Sequence, residues 1–420
     1  MSALGVRRSI AVCDYTGACI RSGISATSMR NRGSPASTLL LGALIAAAPF
    51  AMDIYLASMP SMTHALAATP EEVQLTLSVY MYGWGFAQLV AGPLSDRHGR
   101  RPALLFGLAV FVAASVACAL SRNVYVLIAA RLVQALSLAP IAVVPRAIVR
   151  DLHSGDKAAH MLALMGVVLG IAPVAAPIVG SHVHVLFGWQ ANFVLVALYG
   201  AVLWAFVLRT LPETLARRDV AATRPAVILA NYGRLLRSRT FRGYMLVAAS
   251  GFSGLFAFIA GSAFVFVSVL GESERGFGLM FGAVMLGNIT GSVLGSRLVR
   301  RLGIGRMVRI GTALMAVAGA ALGGLALAGA SHPLAIIVPM FVYMLSFMLT
   351  MPPATAGALT PFPQIAGSAS SLLAFCQFLA ASTAALIVGL TFDGTARPMA
   401  LAIAAASVAA FASFRLVRDR

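Results

Sequence analysis

Among the thirteen acidic residues of this 420-residue chain, Asp53 stands apart because it falls well inside an apolar stretch, AMDIYLASMPSM (51–62). A carboxyl group surrounded by hydrocarbon is expensive to keep, so it marks a functional site by default. Such a group can take up and release a proton at working pH. Proton or cation coupling is therefore its first reading, and a structural pair between two helices its second. Arg131 lies inside another apolar stretch, RLVQALSLAP (131–140). Each of the two lies about seven residues from the same side of its helix, which is roughly 10 Å deep at 1.5 Å per residue. Arg131 is thus the natural partner of Asp53, expected to stabilise the carboxylate in one state and release it in another. Gln134, one turn further on, is placed to bond Arg131 or a bound molecule.

Other residues form looser constellations. Tyr55, Tyr80, Trp84, Phe256 and Phe258 are aromatic candidates for lining an apolar cavity, with packing or lipid contact as the plainer alternative. Gly170, Pro173, Pro177 and Gly180 put small or kinking residues at helical spacing and predict a broken helix that hinges. Gly287, Gly291 and Gly295 recur every four residues and predict close helix packing. His64, His182, His184 and His332 fall near helix ends and read as interface residues. The four cysteines show no CxxC spacing, so neither a zinc site nor a disulfide framework is expected. There is no phosphate-binding loop, HExxH or nucleophile elbow. No catalytic residue, metal or cofactor is therefore assigned, and ATP-driven transport is disfavoured.

These residues must be positioned by a membrane scaffold. The chain is 60% hydrophobic and 10% charged, with a mean hydropathy of +0.89, where soluble domains carry about 25% charged residues. That excludes a water-soluble enzyme or a nucleic-acid binder despite the formal net charge of +18. Apolar runs of about 20 residues occur at roughly 38–60, 72–95, 103–120, 124–145, 160–182, 189–210, 243–270, 277–298, 306–328, 333–356, 366–390 and 396–415. With the N-terminus placed inside, alternate gaps collect the basic residues. Twenty-six of the 31 fall in the segment before the first span, at 97–101, 146–157, 217–242 and 297–309, and in the tail. The other gaps hold only Arg122, Arg275 and Arg397. Such a bias predicts both termini in the cytoplasm.

The chain also repeats weakly. GPLSDRHGRRP (92–102) follows the second span and GSRLVRRLG (295–303) follows the eighth, so two six-span halves are expected. GPLSDRHGRRP resembles the loop signature between helices two and three of the major facilitator superfamily. RLVQALSLAP, with PRAIVRDL (145–152), resembles helix four of its proton-driven drug exporters, and LGIAPVAAPIVG (169–180) resembles the helix-five signature of that group. AMDIYLASMPSM and PFPQIAGSASSL (361–372) narrow the likeness to drug:proton antiporters of the bicyclomycin/chloramphenicol (phenicol) resistance branch. Departures are Ala135, where glycine is usual, and Gly180-Ser181 in place of a glycine pair. The resemblance implies that Gly92, Asp96, Arg97, Gly99, Arg100 and Arg101, joined by Arg146 and Asp151, form a conformational latch. Gly99 itself suits a tight turn at positive φ.

The expected protein is an all-α membrane protein of twelve transmembrane helices in two pseudo-symmetric six-helix bundles, 38–210 and 243–416. A cytoplasmic N-terminal segment 1–37, read as disordered and with Met29 as an alternative start, precedes them. A central cytoplasmic loop 211–242 and a tail 417–420 complete the chain. The resemblance implies an exporter of small amphiphilic drugs in the bacterial inner membrane, working by alternating access in exchange for protons. Its partners are a small-molecule substrate, protons and the lipid bilayer, with no nucleic acid, and it is expected to be monomeric. An exporter of an endogenous metabolite is the alternative in kind, and a non-transporting scaffold or receptor the alternative in class.

Overall fold

The computed structural model describes residues 12–13, 19–20, 35–152, 155–215 and 225–417. Before Pro35 only an antiparallel pairing of Val12–Cys13 with Cys19–Ile20 is described, so the expectations for the rest of 1–34, Met29 included, lie outside the described residues. From Pro35 onward the described chain is helical, because in lipid each backbone N–H and C=O must find its partner within the segment.

Helix α1 (Pro35–Asp53) gives way at 54–55 to a 3-10 turn (Leu56–Ser58) and the short α2 (Met59–Ala65). Then come α3 (Pro70–His98), α4 (Arg100–Ala119), α5 (Val124–Leu152), α6 (Gly155–Phe187) and α7 (Gln190–Thr210). Next are α8 (Pro225–Arg237), α9 (Arg239–Ala263, prolonged by the π-helical Phe264–Val269) and α10 (Glu274–Leu327). Helices α11 (Leu334–Leu359), α12 (Ala366–Leu390) and α13 (Arg397–Phe414) complete the chain. The 54-residue α10 is two crossings, since Gly303 interrupts it at φ 73°. Counting α1 with α2 as one crossing and setting α8 aside, twelve crossings result.

Their packing forms two bundles. Helices α1 to α7 pack among themselves, as do α9 to α13, and the bundles meet chiefly where α3 packs on α12 and α6 on α10. Those contacts join the second crossing to the eleventh and the fifth to the eighth. Exchanging halves turns each contact into the other, the signature of a parallel repeat with a two-fold axis along the membrane normal. The repeated turns are built alike: Gly99 at φ 107° separates α3 from α4, and Gly303 performs the same reversal inside α10. Gly287, Gly291 and Gly295 lie against the backbone of α11 at Phe341, Leu345 and Met348, as their spacing predicts.

Three features correct the sequence reading. The stretch 211–242 is not all loop, for it contains the helix α8, which touches α12 through an Asn231–Ser368 hydrogen bond of 3.3 Å. The fifth crossing is not broken, because α6 runs as one 33-residue helix through Pro173 and Pro177. The break lies in the first crossing, immediately after Asp53.

Candidate functional site

The site begins with that break. A helix leaves its last four carbonyls without intrahelical partners, and α1 stops at Asp53. The Ala51 carbonyl freed in this way accepts from Arg131 Nη1 at 3.1 Å. Arg131 Nη1 also donates to Gln134 Oε1 at 2.6 Å, and Gln134 Nε2 donates to Ser115 Oγ on α4 at 2.7 Å. The α1 C-terminus carries partial negative charge, which suits a guanidinium placed there.

Aromatic faces enclose the cation. Its central carbon lies 3.9 Å from the Tyr80 ring centroid, 4.6 Å from Tyr55 and 5.8 Å from Phe193. Both tyrosines are anchored by their hydroxyls: Tyr80 donates to Ala48 O at 3.0 Å, and Tyr55 shares a 3.0 Å hydrogen bond with Thr76 Oγ1. Arg131 is fully buried, and its Nε and Nη2 have no hydrogen-bond partner among the described residues.

Asp53 is 1% exposed. Its Oδ1 has no hydrogen-bond partner among the described residues. Arg131 is close enough for its charge to act on the carboxyl, yet the two form no ion pair; the guanidinium is engaged by Ala51, Gln134 and Tyr80 instead. The arrangement therefore presents one fixed cation, held by neutral groups, beside one acid with an open oxygen. Chemically it can accept a proton or a cation without first breaking a salt bridge.

The cavity candidates separate. Gln134 is spent on Arg131 and Ser115, and Tyr55 and Tyr80 are spent on the guanidinium. Phe258 is turned away, stacked on Phe281 of α10 at 5.5 Å, because its helix face packs within its own bundle. Trp84 and Phe256 do meet between the bundles, through Phe378 of α12. Phe378 is 4.3 Å from Trp84 and 6.4 Å from Phe256, with Phe252 at 6.0 Å; Phe252 in turn lies 5.2 Å from Phe347. The Trp84 indole N–H is buried with no partner among the described residues. Phe347 and Phe378 were not anticipated, since an aromatic residue in an apolar run carries no sign of which face it occupies.

Near the break, Gly180 of α6 sits so close to Ile54 that a Cβ there would overlap the Ile54 carbonyl. Gly180 is thus the point of closest approach to the interrupted α1. Pro173 and Pro177 lie within the continuous α6, and the surroundings of Gly170 lie outside the described residues.

At the Arg-rich end, the surroundings of Gly92 and Asp96 likewise lie outside the described residues. Arg100 Nε donates to Asp151 Oδ2 at 3.1 Å and its Nη1 to Ser95 Oγ at 2.7 Å, while Arg101 Nη2 donates to Leu208 O at 2.8 Å. Arg97 and Arg146 are exposed. Glu213, which sequence reasoning did not single out, accepts the backbone N–H groups of Arg100 (3.0 Å) and Arg101 (3.2 Å), capping α4. These bonds join α3, α4, α5 and the end of α7 within the first bundle.

Of the histidines, His184 is not a lipid-interface residue. It is buried between α2 and α10, where its Nε2 lies 2.9 Å from Ser61 Oγ and 3.0 Å from Glu274 Oε2.

A family model described as Major Facilitator Superfamily matches residues 39–385. The chain is 32% identical over 384 residues to the bicyclomycin resistance protein homolog of Haemophilus influenzae, covering 91% of this chain and 96% of that one. It is 30% identical over 368 residues to the chloramphenicol resistance protein of Pseudomonas aeruginosa, covering 87% and 86%. Among solved structures, a D-xylose-proton symporter superposes with a TM-score of 0.69 at 15% identity, covering 92% of this chain and 98% of that one. A peptide transporter POT in complex with alafosfalin superposes at 0.73 and 14%, covering 94% and 98%. At such identities these two speak to the fold alone. The two bundles related by an axis along the membrane normal, the match over most of the length and the two relatives at 30% or more together place the chain in the Major Facilitator Superfamily of membrane transporters.

Proposed function

We propose that this transporter exports small amphiphilic molecules, phenicol- or bicyclomycin-like, across the bacterial inner membrane in exchange for protons. The observation that carries the proposal is Asp53, buried at the α1 break with Oδ1 open and Arg131 held nearby by neutral groups. The Arg-rich ends face the cytoplasm, following the distribution of basic residues. The two bundles, 38–210 and 243–416, are the moving bodies of a monomer, and the Arg100–Asp151 cluster sets the cytoplasmic end of the first. In the cycle the Asp53 carboxylate takes a proton from outside and releases it inside, while the substrate leaves in the opposite sense. The relatives' names, and the rings of Trp84, Phe252, Phe256 and Phe378, support a substrate with an apolar ring or face.

The test is expression in a drug-hypersensitive bacterium followed by reconstitution. The parent should raise chloramphenicol or bicyclomycin tolerance and should move protons in proteoliposomes when drug is added. Asp53→Asn should abolish gradient-driven export while leaving drug counterflow measurable. Full gradient-driven export by Asp53→Asn would remove Asp53 from the mechanism. A folded parent that raises no tolerance and shows no drug-evoked proton movement would favour a metabolite as the cargo.

A further inference from the structure

At the Arg-poor end of the molecule the two bundles are joined by a polar cluster that the proton site does not use. His184, near the end of α6 in the first bundle, places Nε2 2.9 Å from Ser61 Oγ of α2 and 3.0 Å from Glu274 Oε2, in the first turn of α10 in the second bundle. The hydrogen positions follow from the partners. The Ser61 hydroxyl already donates to Ser58 O at 2.8 Å, so Ser61 must accept from His184. An ionised Glu274 can only accept as well. Nε2 therefore carries a proton in every state, and Nδ1, which is buried and has no partner among the described residues, is the atom whose protonation changes the charge of the ring. Just inward of this cluster α6 and α10 pack closely: a Cβ on Gly278 would crowd Ser181 and Pro177, and one on Gly282 would press on Ile178. The pair thus sits at the rim of a seam that has to open if the Arg-poor ends part.

We propose that His184 is a proton-operated clasp: uptake of a proton at Nδ1 converts a hydrogen bond from the neutral ring to the Glu274 carboxylate into an ion pair and holds the Arg-poor ends of the two bundles together. Histidine is the side chain whose charge ordinarily changes between pH 5 and 8, and the Glu274 side chain is only 25% exposed, which limits screening of the pair. The charged or titratable groups nearest to the pair in the chain are Arg275 next to Glu274, Glu272 in the preceding loop, His64 on α2 and His182 on α6; Glu71, Glu72, Arg122, His332, Asp393 and Arg397 occupy the other turns of this end. His182 bonds its own helix at Ile178 O (2.8 Å). None of these is held between the bundles as His184 is. The sign is fixed by the charges: acid outside strengthens the clasp and favours the state with this end shut, whereas alkali loosens it. His184 is a positioning residue for the cycle. The inference rests on the alternating-access proposal only in taking the Arg-poor ends to part.

The experiment is an electron–electron distance measurement in lipid nanodiscs, with spin labels at Ala65→Cys and Ser331→Cys and the four native cysteines replaced. All variants carry Asp53→Asn, so that titration of the proton site cannot move the distances. Lowering the pH from 8 to 5.5 should raise the ratio of closed to open molecules at least about fivefold, the lower range of such couplings. His184→Gln keeps an amide donor for Ser61 and Glu274 but does not titrate; it and Glu274→Gln should each flatten the pH dependence while leaving both distance populations present. An equal pH response in His184→Gln, or no response in the Asp53→Asn parent that still shows both populations, would overturn the clasp. A single, pH-independent distance in every variant would instead overturn the parting of these ends, and with it the alternating-access proposal.

Discussion

Arg131→Lys probes the geometry of the proposed proton site most directly. Lysine keeps the buried charge, so the cost of taking that charge out of water remains. What it loses is shape, because an ammonium neither lies flat on a ring nor presents a planar fork. The guanidinium is 3.9 Å from the Tyr80 centroid in a site without solvent, where a cation–ring contact contributes about 2 kcal/mol. Of the bonds to Ala51 O and Gln134 Oε1, at least one is lost, and a hydrogen bond to a charged group contributes about 1.5 kcal/mol at the low end. Together these amount to about 3.5 kcal/mol, or roughly 400-fold in an equilibrium or rate. If the guanidinium is held this way in one state of the cycle, the loss appears as slowed exchange of labelled chloramphenicol in proteoliposomes, with a folded protein by thermal unfolding in detergent. Tyr80→Leu should lose roughly 30-fold, the share of the stacked ring alone. The double variant should be little worse than Arg131→Lys, since both remove the same contact. Exchange by Arg131→Lys within threefold of the parent, or fully additive losses in the double variant, would refute the assignment of the ring as the cushion for the charge.

Three further outcomes follow from the described contacts. Gly180→Ala forces a methyl onto the Ile54 carbonyl and should cost about 1–3 kcal/mol as overpacking, visible as a lower unfolding midpoint; an unchanged midpoint would mean that α1 and α6 lie further apart. Gly99→Ala puts a Cβ 2.6 Å from Glu213 Oε2 at φ 107° and should cost about 1–3 kcal/mol, whereas Gly233→Ala, with open space around it, should leave the midpoint unchanged or higher. In the loop 391–396, outside the membrane-spanning segments, the Thr395 hydroxyl (2.6 Å) and the loop's backbone N–H groups hold the Asp393 carboxyl below the usual carboxylate range. A lowered value means that the turn is supported above that range and loses support as pH falls through the native value. Hydrogen exchange at 393–397 should therefore stay slow to lower pH in the parent than in Thr395→Val.

Charge was the legible part of the sequence. A lone acid and a guanidinium deep inside apolar runs declare themselves, and their depths can be counted, so Asp53 and Arg131 are legible. How they meet could not be read. The α1 break follows Asp53 at Ile54 and Tyr55, residues that ordinarily continue a helix, and α6 continues through two prolines that ordinarily interrupt one. In both places tertiary contact decides: Gly180 lets α6 press against the interrupted end of α1, where the freed Ala51 carbonyl is taken by Arg131. Glu213 caps a helix that begins 113 residues earlier in the chain, a relation without local trace. His184 looked like any histidine near a helix end until Glu274, ninety residues on, was brought beside it.

Tyr80 and Trp84 lie one turn apart on α3, 6.5 Å between rings; the first cushions Arg131 and the second meets Phe378 of the opposite bundle. A flat inhibitor wedged between Trp84 and Phe378 would act as a doorstop. It would fix the spacing of the bundles and, through one turn of α3, freeze the cushion beneath the guanidinium; in the proposed cycle that halts proton exchange without approaching the carboxylate. Escape from such a blocker would arise first at Phe378, on the far side of the wedge, leaving the acid and its neighbours unaltered.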